Sequence, residues 1–209
     1  MNTGDYTRTS RVTTGAMVAL ATVQNLNREY SLQHGAPFYN VTATARGLAI
    51  EGVTATDATG SGHIDRTTTT PGGSQTETYD GPFHLRRSGQ SWQVVDAIFD
   101  HVPLAVAEVR KTEEEPPLRV TLVSVLDFGQ STAALFTAEL TKSGVSNVKV
   151  TGATITRGGA SADSVQAILV RTATTGEGYA GFRRSPGAAT RVALVFDADG
   201  QQARFDFAL

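Results

Sequence analysis

From Phe38 onward, apolar residues recur at every second position in short runs, separated by glycine, proline and small polar residues. A period of two sends alternate side chains to opposite faces of an extended chain, so each run must bury one face against a sheet or a covering layer. Ala134–Thr141 sets Phe136, Ala138 and Leu140 against Thr137, Glu139 and Thr141, and Ala203–Leu209 sets Phe205, Phe207 and Leu209 against Arg204, Asp206 and Ala208. Leu118–Leu126, Val145–Thr156, Val165–Thr172 and Thr190–Phe196 read as further strands. So many short strands with no helical period predict an all-β sandwich for this half of the chain.

The first half mixes two periods. Val12, Ala16, Leu20, Val23, Leu26 and Tyr30 recur at spacings of three and four, which predicts one amphipathic helix ending near Gly35 and Pro37. Strands follow at Phe38–Arg46, Leu48–Thr56, His63–Thr70, Gln75–Arg87 and Trp92–Phe99. Gly60-Ser61-Gly62, Pro71-Gly72-Gly73-Ser74 and Ser88-Gly89-Gln90 are read as the turns between them, and Gly81-Pro82 as a break in the long strand. One helix lying across a curved antiparallel meander buries both apolar faces. Arg8 and Arg11 before Val12–Val23, with Ala19-Leu20-Ala21, also outline a targeting segment over residues 8–21. Asp5, Thr13, Thr14, Gly15 and Thr22 oppose that outline, and the helical stripe runs past the supposed cut.

Glu113-Glu114-Glu115 followed by Pro116-Pro117 reads as a polar, stiff linker. The expected division is therefore a helix-plus-sheet domain over residues 1–109, a linker over 110–117 and a sandwich over 118–209. A chain of 209 residues is comfortable for two such domains.

Charge narrows the classes of function. Residues 1–103 carry seven Arg against nine Asp or Glu, and residues 104–209 carry eleven of each sign. Neither half has the basic excess of a nucleic-acid binder, so no nucleic-acid partner is expected. No run approaches the roughly 20 apolar residues of a membrane helix, so no integral membrane segment is expected in this chain. The absence of cysteine removes disulfides, thiolate metal sites and cysteine nucleophiles together. Arg outnumbers Lys fifteen to three, a bias that suits a GC-rich bacterial genome or its phages.

Two resemblances follow from particular residues. GPFHLRRSGQSWQVVDAIF, Gly81–Phe99, resembles the closing hairpin of the nuclear transport factor 2-like, or cystatin-like, superfamily, with Phe83, Leu85, Trp92, Val94 and Val95 in the corresponding places. Members usually carry two or three helices before the last strands, and this chain has one. Leu118–Val125, FTAELTKSG (Phe136–Gly144) and SPGAATRVALVFD (Ser185–Asp197) resemble immunoglobulin-like modules of bacterial envelope proteins. Together they imply a mainly β chain: an α+β cystatin-like domain followed by an all-β immunoglobulin-like sandwich. They also imply a cell-envelope or extracellular setting, with the cytoplasm or a virion as the other possibilities, and dimers through the open sheet.

Enzymes of the cystatin-like superfamily work with a His or Asp inside a cone of sheet and helices. The candidates here are His63, Asp65, His84 and Asp96. Alternation puts His84 on the face away from Phe83 and Leu85, and puts His63 and Asp65 on one face of their strand. A His-Asp pair across strands is capable of acid-base chemistry, but exposed strand residues are the preferred interpretation, and no buried acid-base couple is expected among these four. Trp92, the single tryptophan, is a candidate stacking platform for a ligand, with hairpin packing preferred. His34, His63, His84 and His101 are scattered singly, so no metal and no cofactor is expected. Asp57–Asp65 lacks calcium-loop spacing. Gly158-Gly159 and Gly176–Gly178 read as turns rather than phosphate loops, Ser161 has no following helix to make a nucleophile elbow, and the Asn40-Val41-Thr42 glycosylation pattern sits in a strand.

The leading expectation is a non-enzymatic binding or assembly protein acting through a protein partner or self-association, with a homodimer possible. The alternative is a small-molecule enzyme or ligand carrier of the nuclear transport factor 2-like type; the second alternative is a virion or filament component.

Overall fold

The computed structural model describes residues 14–35, 40–70, 73–99 and 102–209, which are mainly β with a single helix. The chain divides into two compact units, Met1–Ala105 with Phe128–Gln130, and Val106–Asp127 with Ser131–Leu209. Among the described residues no helix is long and apolar enough to cross a membrane.

In the first unit, helix α1 spans Ala16–Gln33. Leu20, Ala21, Val23 and Leu26 are its buried residues, so the middle of the apolar stripe is its packed face. Ala19-Leu20-Ala21 lies within this helix, and Val12, Arg8 and Arg11 lie outside the described residues. Gly35, at φ 64°, follows the last turn, where a left-handed residue ends a helix without a Cβ clash. The N-terminal end is tied down by Thr14, whose N–H donates to Val94 O at 2.9 Å.

Strands β1 (Asn40–Glu51), β2 (Asp57–Thr70), β3 (Gly73–Ser88), β4 (Ser91–Phe99) and β5 (Val102–Pro103) form one antiparallel sheet in chain order. Gly60-Ser61-Gly62, expected as a turn, lies inside β2. The reversal falls at residues 52–56, where Thr54 N–H donates to Asp57 O at 2.8 Å. The glycines serve the sheet and not a loop. A Cβ on Gly62 would lie 2.8 Å from Gly47 O, and one on Gly81 would lie 2.9 Å from Ser61 Cα. Register shifts flank this line in β1 between Arg46 and Ala49 and in β3 between Asp80 and His84. Bulges and glycines at such close approaches bend and twist a sheet. Phe83 and Tyr79 are buried, and Gln24 of α1 donates to the Tyr79 hydroxyl at 3.1 Å. Burial pushes the Tyr79 hydroxyl above its ordinary pKa.

The second unit is two packed sheets. One holds β11 (Gln166–Arg171), β12 (Thr175–Arg183), β8 (Ser131–Leu140), β7 (Leu118–Phe128) and β6 (Ala105–Glu115), in that order. The other holds β10 (Ala160–Asp163), β9 (Val148–Arg157), β13 (Ala189–Ala198) and β14 (Gln201–Ala208). Leu118, Val120 and Leu122 of one sheet share a core with Leu194, Phe205 and Phe207 of the other. Phe196 meets Phe136 and Phe205 edge-on, each at 5.6 Å between ring centroids. Gly158 and Gly159 do form a turn, at φ 52° and 83°. Gly176–Gly178, expected as a turn, is instead part of β12, because the ring of Phe136 and the backbone of β11 occupy the space that a Cβ on Gly178 would need.

The expected linker also takes another form. Residues 110–115 belong to β6, Pro116-Pro117 is the turn into β7, and the border between the units falls at Ala105 and Val106. Of the charged side chains that suggested a solvated linker, Glu114 pairs with Arg119 at 2.8 Å, and Glu113 and Glu115, with Lys111 beside them, are occupied by the edge of β14. Glu113 Oε2 accepts from Asp206 N–H at 2.8 Å, Glu115 Oε2 accepts from Arg204 N–H at 3.3 Å, and Lys111 Nζ donates to Ala208 O. Every second residue of β6 thus serves every second residue of β14, and side chains replace the missing strand.

Candidate functional site

The residues with chemical potential gather on the face of the first unit's sheet turned away from the helix. Register explains why. His63 pairs with Asp80 across β2 and β3, Asp65 with Thr78 and with Thr44 of β1, and His84 with Asp96 across β3 and β4. Tyr79 and Phe83 point the other way, into the helix-covered side.

Two histidine-carboxylate pairs result. His63 Nδ1 lies 2.6 Å from Asp80 Oδ1, and His84 Nδ1 lies 2.7 Å from Asp96 Oδ1 and 2.8 Å from Oδ2. His84 N–H also donates to Asp96 Oδ1 at 3.3 Å. Both imidazoles have 58% of their side-chain surface exposed. Asp65 accepts from Arg46 and from Thr78 Oγ1, the latter at 2.8 Å, and Arg86 pairs with Asp57 at 3.6 Å. Further along the same strands, Thr67 bonds Thr76 at 2.9 Å and Thr69 bonds Ser74 at 3.0 Å.

All four sequence candidates therefore lie on one face, but Asp65 joins Arg46 and Thr78 rather than a histidine. His84 and Asp96 do meet, in the open. Asp80 and Arg46 were missed by the sequence reading, because a partner on a neighbouring strand is visible only once the register and its bulges are known. Trp92 stands opposite Arg87 on the Leu85–Val94 side and is 37% exposed, so it does not join this group. His34, just past the end of α1, stacks on Tyr30 at 4.0 Å, and His101 lies outside the described residues. Among the described residues, no three histidines or carboxylates converge to hold a metal ion. Ser161 sits in β10, bonded to Thr156 at 2.9 Å, and Asn40 opens β1.

The chemistry open to this face follows from its exposure. A carboxylate bonded to Nδ1 orients an imidazole, but acid-base catalysis also needs a shielded reacting group. Here Asp57, Asp65, Asp80 and Asp96 are each paired with a neighbour, and the surface is largely a mosaic of paired charges and hydroxyls. Comparison with protein-family models, curated proteins and solved structures finds no match for the chain.

Proposed function

We propose that this chain is a non-enzymatic binding or assembly protein that acts through protein-protein contacts. The observation that carries this reading is the sheet of the first unit, covered by α1 on one side and presenting a polar face of paired charges on the other. A broad sheet face with satisfied ion pairs suits recognition by a complementary polar surface, because its groups are already held in place. The resemblances to a cystatin-like domain and an immunoglobulin-like sandwich support the same reading and carry with them a bacterial envelope or secretion-associated complex. The oriented His84–Asp96 pair favours a second reading, a small-molecule enzyme or ligand carrier.

Affinity purification of the full chain from its native host separates the two. Binding through the open face predicts that a stoichiometric protein partner is retained by the wild type and lost with His63→Ala/His84→Ala. Turnover or saturable binding of a small molecule that disappears in His84→Ala, with no protein retained, overturns the proposal and favours the second reading.

A further inference from the structure

The two units treat an open sheet edge differently. The backbone of β14 is met by side chains of Lys111, Glu113 and Glu115. Strand β1 is the last strand of its sheet and has no neighbour on its outer side among the described residues. It is 12 residues long and contains neither Lys nor Pro, two of the guards of an edge; what it carries instead is one bulge and the opposite charges Arg46 and Glu51. It also exposes large apolar side chains, Leu48 at 58% and Ile50 at 65%.

The faces of β1 are set by its register. Arg46 pairs with His63, Ala49 with Ser61 and Glu51 with Thr59, so these three lie on the open face. Ile50 pairs with Gly60 on the other face, and Leu48 lies there too, its Cδ2 2.9 Å from the position of a Cβ on Gly62. Gly47, at φ 58°, absorbs the extra residue of the bulge. This order is self-complementary. If a second copy runs antiparallel about a two-fold axis at Ala49, Leu48 of each meets Ile50 of the other on one face. On the opposite face Arg46 of each meets Glu51 of the other. Face matches face throughout, as a continuous sheet requires. Glu51 makes no ion pair among the described residues, and Arg46, already bonded to Asp65, keeps donors to spare.

We propose that two copies of the chain pair along β1 into one continuous sheet, with Ala49 on the two-fold axis. This inference rests on the assembly reading above and adds a second copy at the edge of the same sheet, apart from the partner that meets its open face. A small interface of this kind suits a reversible dimer, because one added strand pair buries modest area.

The absence of cysteine makes the test clean. Ala49→Cys in the full chain places two thiols opposite each other, and mild oxidation with copper phenanthroline is expected to link the copies covalently; Thr76→Cys, on the open face of β3, is expected to stay unlinked. Sedimentation of the wild type at about 100 μM, above a micromolar Kd, is expected to show a dimer. Ile50→Asp is expected to raise its Kd at least tenfold. Glu51→Arg is expected to weaken the dimer, and Arg46→Glu added to Glu51→Arg to restore it. Circular dichroism on each variant checks that it folds. A wild type that stays monomeric, a dimer indifferent to Ile50→Asp, or equal crosslinking of both cysteine variants overturns this pairing. None of these touches the assembly reading, which fails separately if no protein is retained and His84→Ala abolishes small-molecule turnover.

Discussion

The carboxylate of Glu113 accepts the backbone N–H of Asp206 at 2.8 Å, joining the free edge of one sheet to a side chain of the other. A charged acceptor on a partly buried amide contributes about 1.5–3 kcal/mol. Glu113→Ala is therefore expected to destabilise the second unit by about that amount, and Glu113→Gln, which keeps an acceptor, by less. Amide exchange at Asp206, followed by NMR, distinguishes a local contact from a general loss. Faster exchange at Asp206 before the β13 amides change supports it; unchanged protection in Glu113→Ala removes it.

The second unit also holds a buried ion pair. Arg157, 5% exposed, reaches from β9 to Asp127 of β7 at 2.5 Å, donates to Gly187 O at 2.9 Å, and shares Asp127 with Thr132 Oγ1 at 2.7 Å. Removing one partner strands the other charge in a low-dielectric setting. Asp127→Ala is therefore expected to cost about 3–5 kcal/mol, and the double variant Asp127→Ala/Arg157→Met considerably less. Urea denaturation of both variants is the check. Equal losses would mean that the charge is solvated after all.

The helix and the direction of His84 were legible because they depend on local period alone. Leu20, Val23 and Leu26 announce a buried stripe at helical spacing, and alternation from Phe83 and Leu85 puts His84 on the far face. Glycine and charge misled for one shared reason. Gly62 and Gly178 signal a turn in a sequence, yet each stands where neighbouring backbone or a ring leaves no room for a Cβ. Glu113 and Glu115 signal solvent, yet their partners are amides some 90 positions away. Such partners belong to the tertiary fold, and no local pattern encodes them. His63–Asp80 was hidden in the same way, behind the register of two strands.

Acid should loosen the second unit first at β14 and its adjoining turn. Hydrogen bonds and charge from Arg204 hold the Asp206 carboxyl below the ordinary carboxylate range, and the backbone N–H groups of Ser146 and Asn147 do the same for Asp199. The unfolded chain then takes up these protons at higher pH than the folded one. The stabilisation is complete above the unfolded pKa of about 3.9 and disappears as pH falls through the lowered folded values. Both groups are near the surface, so the effect is modest and weakens with salt. Thermal melts from pH 6 down to 2 should show a smaller acid-induced drop in Asp206→Asn than in the wild type; identical profiles would place the sensitivity elsewhere.

Gly178 is the most crowded glycine in the core. A Cβ there would stand 2.3 Å from Ile168 O and 2.6 Å from Phe136 Cζ. The carbonyl belongs to the paired strand β11, so neither atom can retreat without breaking the sheet or the aromatic cluster. Gly178→Ala is expected to cost about 3 kcal/mol or more, at the upper end of overpacking. Gly152→Ala in β9, with open space around it, is expected to stay within about 0.5 kcal/mol. Comparable melting temperatures for the two variants would mean that β12 shifts to accept a methyl group.

The packing of α1 gives a final test, on the first unit. Leu20 is 3% exposed and sits at the centre of the buried stripe, whereas Leu32 near the end of the same helix is 47% exposed. Truncating a buried leucine loses its transfer free energy and leaves a cavity, so Leu20→Ala is expected to cost about 2–5 kcal/mol. Leu32→Ala, at equal helix propensity, is expected to change stability by less than about 0.5 kcal/mol. Trp92, the single tryptophan, lies in β4 and so reports the unfolding of this unit without interference from the other. Guanidinium titrations followed by its fluorescence should therefore separate the two variants clearly. A Leu20→Ala midpoint within error of the wild type would mean that the helix does not contribute to the core of the sheet, and that the open face is not the only uncovered one.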